Sequence, residues 1–351
     1  MASASPPAAA ASAAQPQPLQ LLRWQCRSQV FRERIDGLEL AMVRIPAGSF
    51  VIGSPPGELE RGESESQQRL ELGEFLLGRT PITQAQWRTV AQWKPAAGER
   101  WPQELDPAPS FFRPGAKGGL ELEDVLADAA GAKALKALEK NLAGRFAWLE
   151  GETSTDQRPV ERVSWFDAME FCRRLNSRLG PAAGRSYTLP SEVQWEYACR
   201  AGTTTPFSFG STLTTEVANY DGNFTYANGP KGVYRMQTTP VGMFPANAWG
   251  LHDMHGNVWE WCLDEWSLNG EEISTDASVG LSLGFSQDES SGDAGKLASL
   301  GQEARILRGC SWRGHPKLCR SAHRVGIRSS TNNAGIGFRV CCLPRGPSPH
   351  A

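Results

Sequence analysis

Two stretches, RPVERVSWFDAMEFCRRLN (Arg158–Asn176) and YTLPSEVQWEYACRAG (Tyr187–Gly202), each run a short extended segment into a capped amphipathic helix. They restrict the chain to folds that pack helices against strands. In the first, Ser164 is placed to cap, and Ala168, Phe171, Cys172 and Leu175 fall on one apolar face. In the second, Ser191 with Gln194 three residues on forms a capping box, and Gly202 is placed to end the helix. The remainder is punctuated by 36 glycines and 24 prolines, with 12 tryptophans against 5 tyrosines. That balance points to a loop-rich α+β fold with aromatic anchors, not to a helical bundle.

Other elements follow from pattern. Residues 19–36 carry apolar positions at roughly helical spacing and are expected to form a short helix. LELAMVRIPAGSFVIGS (Leu38–Ser54) reads as two strands of a hairpin around Pro46-Ala47-Gly48. A strand ends near Arg79, and Thr83 is placed to cap a helix over Gln84–Gln92. Residues 94–157 read as an insertion, proline-rich to Pro114 and then helix-forming over about 116–150. Residues 267–304, rich in Gly, Ser, Asp and Glu, read as a surface loop. GIGFRVCCL forms a last strand. The tails at 1–18 and 346–351 read as disordered, leaving one domain over 37–345.

A net charge of −2 over 351 residues, without a long basic block, argues against a nucleic-acid partner. No run of 18 apolar residues is present, so no membrane partner is expected. The start, MASASPPAAAASAAQPQPLQ, lacks a basic n-region, which leaves a cytoplasmic location as the expectation. The eight cysteines, at 26, 172, 199, 262, 310, 319, 341 and 342, are widely spaced and include no CxxC. Reduced, mostly buried thiols are expected, without a zinc-finger pattern.

Seven phrases in order, MVRIPAGSFVIGS, PITQAQW, RPVERVSWFDAMEFCRRLN, YTLPSEVQWEYACRAG, TTPVGMFPANAWGLHDMHGNVWEWC, LRGCSW and GFRV, resemble the formylglycine-generating enzyme (sulfatase-modifying factor) family. The resemblance spans about Leu38 to Leu343. It implies an irregular, C-type-lectin-like α+β fold with short twisted strands and two main helices. The family hosts more than one function, so function has to be argued from sites.

In HDMHGNVWEW the Gly256-Asn257 turn brings Asp253 and Glu260 near backbone carbonyls, an all-oxygen set suited to a hard cation. The same residues by themselves also fit an ordinary turn with a capping aspartate and two core tryptophans. The resemblance implies structural calcium held by Asp253, the carbonyls of Gly256 and Val258, and Glu260. It also implies a second calcium starting at Asn219, for which no acidic partner is apparent near Val233. His252 and His255, three apart without a third soft ligand, are expected to be packing residues.

The family's oxidases hold Cu(I) between two cysteines five residues apart and use O₂ to oxidise a substrate cysteine, a soft ion matched to sulfur. Here the second position corresponds to Cys319, the residue that would be catalytic in an oxidase. The first is Gly314, which has no side chain. Cys310, nine residues from Cys319 and near the end of a strand, is not expected to replace it. A related iron-dependent branch needs histidines upstream, but all five lie at 252 or beyond.

The segment RGCSWRGHPKLCRSAHRVGIRSSTNNAGIGFRV is also similar to the variable region of diversity-generating retroelement proteins, which use the same scaffold. Positions matching their variable codons are Arg313, Gly314, His315, Leu318, His323, Val325, Gly326 and Ile327. Pro316, Lys317, Cys319 to Ala322 and Arg324 match the framework. This implies a non-catalytic protein that binds an unknown protein or small ligand on its C-terminal loop face. Arg313, His315, His323 and Arg324 would then supply polar contacts, and Trp312, Val325 and Ile327 apolar ones. The alternative is a copper-dependent formylglycine-generating oxidase.

Overall fold

A computed structural model describes residues 27–114, 154–267 and 303–344. The expected helix over about 116–150, the loop over most of 267–304 and both tails lie outside the described residues. The strands are β1 (Val30–Ile35), β2 (Leu38–Ile45), β3 (Gly48–Ile52), β4 (Gln68–Leu72) and β5 (Phe75–Gly78), then β6 (Arg185–Thr188), β7 (Trp259–Glu265), β8 (Ala304–Arg308), β9 (Val325–Arg328), β10 (Ile336–Gly337) and β11 (Cys341–Pro344). The helices are α1 (Gln84–Ala91), α2 (Trp165–Ala183) and α3 (Glu192–Arg200). A 3₁₀ turn spans Pro316–Cys319. One sheet has the order β1-β2-β5-β11-β6, a second β10-β7-β8-β9, and β3 pairs β4 alone.

The three helices among the described residues begin as side-chain chemistry dictates. Thr83, Ser164 and Ser191 each accept from the backbone N–H three residues on, and Gln86, Asp167 and Gln194 return the bond. α2 buries Ala168, Phe171, Cys172 and Leu175 against α1 and the first sheet, with Trp87 stacked on Phe171 at 5.6 Å. α3 ends in the left-handed region at Ala201 (φ 46°), one residue before Gly202.

Four expectations are corrected. Residues 30–35 are a strand, not the end of a helix. VFRERI alternates, so Ile35 enters the core while Arg32 and Arg34 face out, and it pairs in register with Leu38–Val43. Leu38–Ile45 and Gly48–Ile52 are strands but form no hairpin. Both edges of β2 are taken by β1 and β5, so the chain turns at Pro46 and β3 pairs β4 instead. GIGFRVCCL is two strands, β10 in one sheet and β11 in the other, linked through buried Phe338 and Val340. Finally, the start of the presumed insertion is core: Leu105, Phe111 and Phe112 are buried, and the Glu161 carboxylate accepts from the backbone N–H groups of both phenylalanines.

Candidate functional site: the loop after strand β8

α3 shapes the socket for the C-terminal loop. Its first and second turns place Glu192 and Glu196 on one face, and both reach Arg308 at the end of β8, at 3.0 and 2.7 Å. Arg308 passes on two bonds, to the carbonyls of Ser321 and His323. Arg324 holds Glu192 through two bonds of 2.8 and 2.7 Å. Arg320 lies between Glu58 and Glu65, 2.7 Å from each. These are buried, extensively bonded networks, with only Arg308 Nε among these arginine nitrogens lacking a partner among the described residues, and they fix one geometry instead of adding much net stability.

Along 313–327 burial divides the residues sharply. Pro316, Cys319, Arg320, Ser321, Ala322 and Arg324 are buried, while Arg313, His315, Lys317, Leu318, His323, Val325, Gly326 and Ile327 are half-exposed. Except for Lys317 and Gly314, this is the division between framework and variable positions drawn from sequence. His315 stacks on the exposed ring of Phe224, centroids 3.6 Å apart, a partner the sequence did not signal. His323 lies 3.6 Å from Glu65 and beside Trp259.

Other assigned positions differ from expectation. Trp312 is 2 % exposed, packs edge-on against Phe112 and donates its indole N–H to the Ala334 carbonyl, so it is core. Arg324 is tied to Glu192 and faces inward. A side chain on Gly326 would overlap the Trp266 ring, and one on Gly314 would overlap Sγ of Cys310. Neither glycine has room to vary while those neighbours stay. Val325 and Ile327 rest partly on the main core.

The overlap at Gly314 also corrects the reading of Cys310. That residue sits in the left-handed region at φ 71°, where a non-glycine side chain costs about 1–3 kcal/mol. The turn folds its sulfur into the space that residue 314 leaves empty. Cys310 and Cys319 are both buried. Both also lie near the His315 carbonyl oxygen, at 3.9 and 3.7 Å. Burial, then the neighbouring Cys310 thiol, pushes the Cys319 thiol well above the ordinary range. Sequence separation hid this, because nine residues through a tight turn end almost where they began. The legible signal was a cysteine standing at a glycine position beside a glycine standing at a cysteine position.

The 252–260 loop binds its residues differently from the expected calcium set. Glu260 takes two bonds from Arg339, at 2.6 and 2.7 Å, and one from the Trp195 indole at 2.8 Å. Its charge is thus matched within the protein by Arg339. Asp253 Oδ2 accepts from the Gly242 N–H, while its Oδ1 is buried without a partner among the described residues. Asn219 Oδ1 is in the same state, and both side chains line one cavity of about 10 Å³ beside Gly256. Burial raises the Asp253 carboxyl to about 6. The Gly256 carbonyl accepts from Val258 N–H. Both histidines are fully engaged: His252 with Phe244 and Arg79, His255 with the Cys319 carbonyl and Ser208. No group of three or more His, Cys, Asp or Glu arranged for a metal occurs among the described residues.

The fold and this loop define an α+β scaffold of the C-type-lectin-like kind with an arginine-anchored C-terminal loop. Residues 28–342 match the family model of the sulfatase-modifying factor enzyme 1-like domain, and the chain belongs to that family. It is 29% identical over 319 residues to the formylglycine-generating enzyme of Streptomyces coelicolor, covering 85% of this chain and 87% of that one. Among solved structures it is similar to PvdO from Pseudomonas aeruginosa (TM-score 0.57, 24% identity, 90% and 97% of the two chains). It is also similar to the Treponema denticola variable protein 1 (TM-score 0.55, 22% identity, 90% and 99%). These two likenesses concern the fold alone. No helix among the described residues is long and apolar enough to cross a membrane.

Proposed function

We propose that the chain is a non-catalytic binding member of its family, recognising a protein or small ligand through the loop face formed by Arg313, His315, Leu318, His323, Val325 and Ile327. The observation that carries this reading is the division of burial along 313–327. Framework residues lock into α3 and the Glu58–Glu65 segment, while the residues between them keep part of their surface exposed. A rigid frame with exposed mixed side chains suits recognition, since little ordering entropy is lost on binding. A retroelement-type origin gives the sharpest test, which is the gene's 3′ sequence across independent isolates. Substitutions are expected to cluster at codons 313, 315, 318, 323, 325 and 327, with 314 and 326 staying glycine, beside a near-identical template repeat. Substitutions spread evenly, without a repeat, would sink the diversified-face reading.

A second reading, a copper-dependent oxidase of a sulfatase cysteine, is favoured by one observation, that the buried Cys310 and Cys319 sulfurs both lie near the His315 carbonyl oxygen. Bound copper would supply the activation of O₂ there. Its test is conversion of a cysteine-containing peptide to formylglycine by the copper-loaded protein, read by mass. No conversion would reject it. Calcium enters the proposal only on the Asp253 side of the 252–260 loop, supported by the unpartnered oxygens of Asp253 and Asn219.

A further inference from the structure

We infer that the cleft between β2 and the start of α1 is a second binding site, which takes a small organic carboxylate on Arg79. The cleft holds about 430 Å³, within the range of pockets that accept small ligands, and none of its lining residues belongs to the loop at 308–327. Arg79 follows β5 and is half-exposed in the cleft wall. Its guanidinium forms no ion pair with a carboxylate among the described residues, and its side-chain partner is an imidazole, with Nη2 3.2 Å from Nε2 of His252. The other ring nitrogen, Nδ1, lies 2.8 Å from the Phe244 carbonyl oxygen, which can only accept. Nδ1 therefore carries the proton and Nε2 accepts from Arg79. Burial lowers the His252 pKa below 6.5, and the charges of Arg79 and Arg339 act the same way, so the ring is neutral at pH 7. The imidazole orients the guanidinium and leaves its charge unmatched.

The remaining polar groups narrow the ligand. Glu39 is paired with Arg32, and Gln86 is bonded to the Glu39 carbonyl and the Thr83 N–H. The first N–H groups of α1 are also taken, those of Gln84 and Ala85 by the carbonyls of Arg158 and Asp156, and that of Gln86 by Thr83 Oγ1. One guanidinium, with these amides engaged and the Glu39 carboxylate in the same wall, suits a single negative charge and not a phosphate dianion. The planar fork of Arg79 matches a carboxylate. The Thr80 hydroxyl and the Gln157 amide have no side-chain bond among the described residues and remain as further donors, and Leu38 and Val241 supply apolar wall. This site goes beyond the loop-face proposal and stands or falls separately from it.

The experiment is a ligand-observed NMR titration of the full chain with benzoate, its uncharged isostere benzamide, and inorganic phosphate. Benzoate is expected to bind saturably, and benzamide and phosphate to bind about tenfold more weakly or not at all. With ¹⁵N-arginine labelling, benzoate should also shift one Nε–H resonance, the one missing from the Arg79→Lys spectrum. Arg79→Lys keeps the charge but loses the fork and should weaken benzoate about tenfold. Leu318→Asn, on the loop face, should bind benzoate as the native chain does. Benzamide binding as tightly as benzoate, phosphate binding more tightly, or no saturable benzoate binding would overturn the assignment in the native chain, without recourse to a variant. Native affinity in Arg79→Lys, or loss of affinity in Leu318→Asn, would overturn it as well.

Discussion

Arg320 and Glu65 meet 255 positions apart in the chain through two hydrogen bonds of 2.7 Å, with neither side chain more than 1 % exposed. The pair joins the segment after β3 to the C-terminal loop. Glu65→Gln leaves a buried guanidinium without its counter-charge and is expected to cost about 3–5 kcal/mol in urea unfolding. A loss below about 1 kcal/mol would mean that Glu58 alone suffices. Burial would raise the Glu65 carboxyl, but hydrogen bonds from His323, Arg320 and Ser54 outweigh it and hold the group well below 4.5. With a depressed folded value, its contribution is present above 4.5 and is lost as pH falls below that value. The native chain should therefore lose stability steeply below pH 4.5, and Glu65→Gln should flatten that slope.

Gly314 and Cys310 are expected to be coupled. Gly314→Ala alone forces its methyl onto the Cys310 sulfur and should cost about 1–3 kcal/mol. In a Cys310→Gly background the same change should cost little. Additive costs in this double-mutant cycle would show that the two residues do not share one space.

On the loop face, His315→Asn and Leu318→Asn should leave stability within about 1 kcal/mol of native, because these side chains are half-exposed. Gly326→Val should instead displace Trp266 and lower the melting temperature sharply. Equal tolerance at 315, 318 and 326 in a thermal-shift scan would contradict the assigned frame.

Trp312→Ala should cost about 3–5 kcal/mol, since it empties a packed site among Phe111, Phe112 and Ala334 and leaves the Ala334 carbonyl without its donor. A variant of native stability that merely lost ligand affinity would restore Trp312 to the binding face.

Added calcium should raise the melting temperature of the native chain, and Asp253→Asn should abolish that rise. An unchanged melting curve in calcium and in EGTA would remove calcium from the proposal.

Local chemistry was legible wherever it was self-contained. The three N-caps and the apolar face of α2 depend on residues three or four apart, and they appear where the sequence places them. Burial of the framework residues was legible too, through the loop's similarity to proteins of known pattern. What failed depended on partners far along the chain. Pro46-Ala47-Gly48 looks like a hairpin turn until β1 and β5 occupy both edges of β2. Arg339, which binds Glu260 from 79 residues on, was likewise not signalled near that glutamate. Cys310 looked remote because distance was counted along the chain and not across a left-handed turn.

The five-stranded sheet has the order β1-β2-β5-β11-β6, so its fourth position is filled by the last strand. During synthesis β6 therefore has no neighbour to join until Cys341–Pro344 has left the ribosome, although its own residues were made about 150 positions earlier. Until then the first half of the sheet and the α2–β6 unit are separate bodies with open edges, and a premature stop shortly before Cys341 would leave them so.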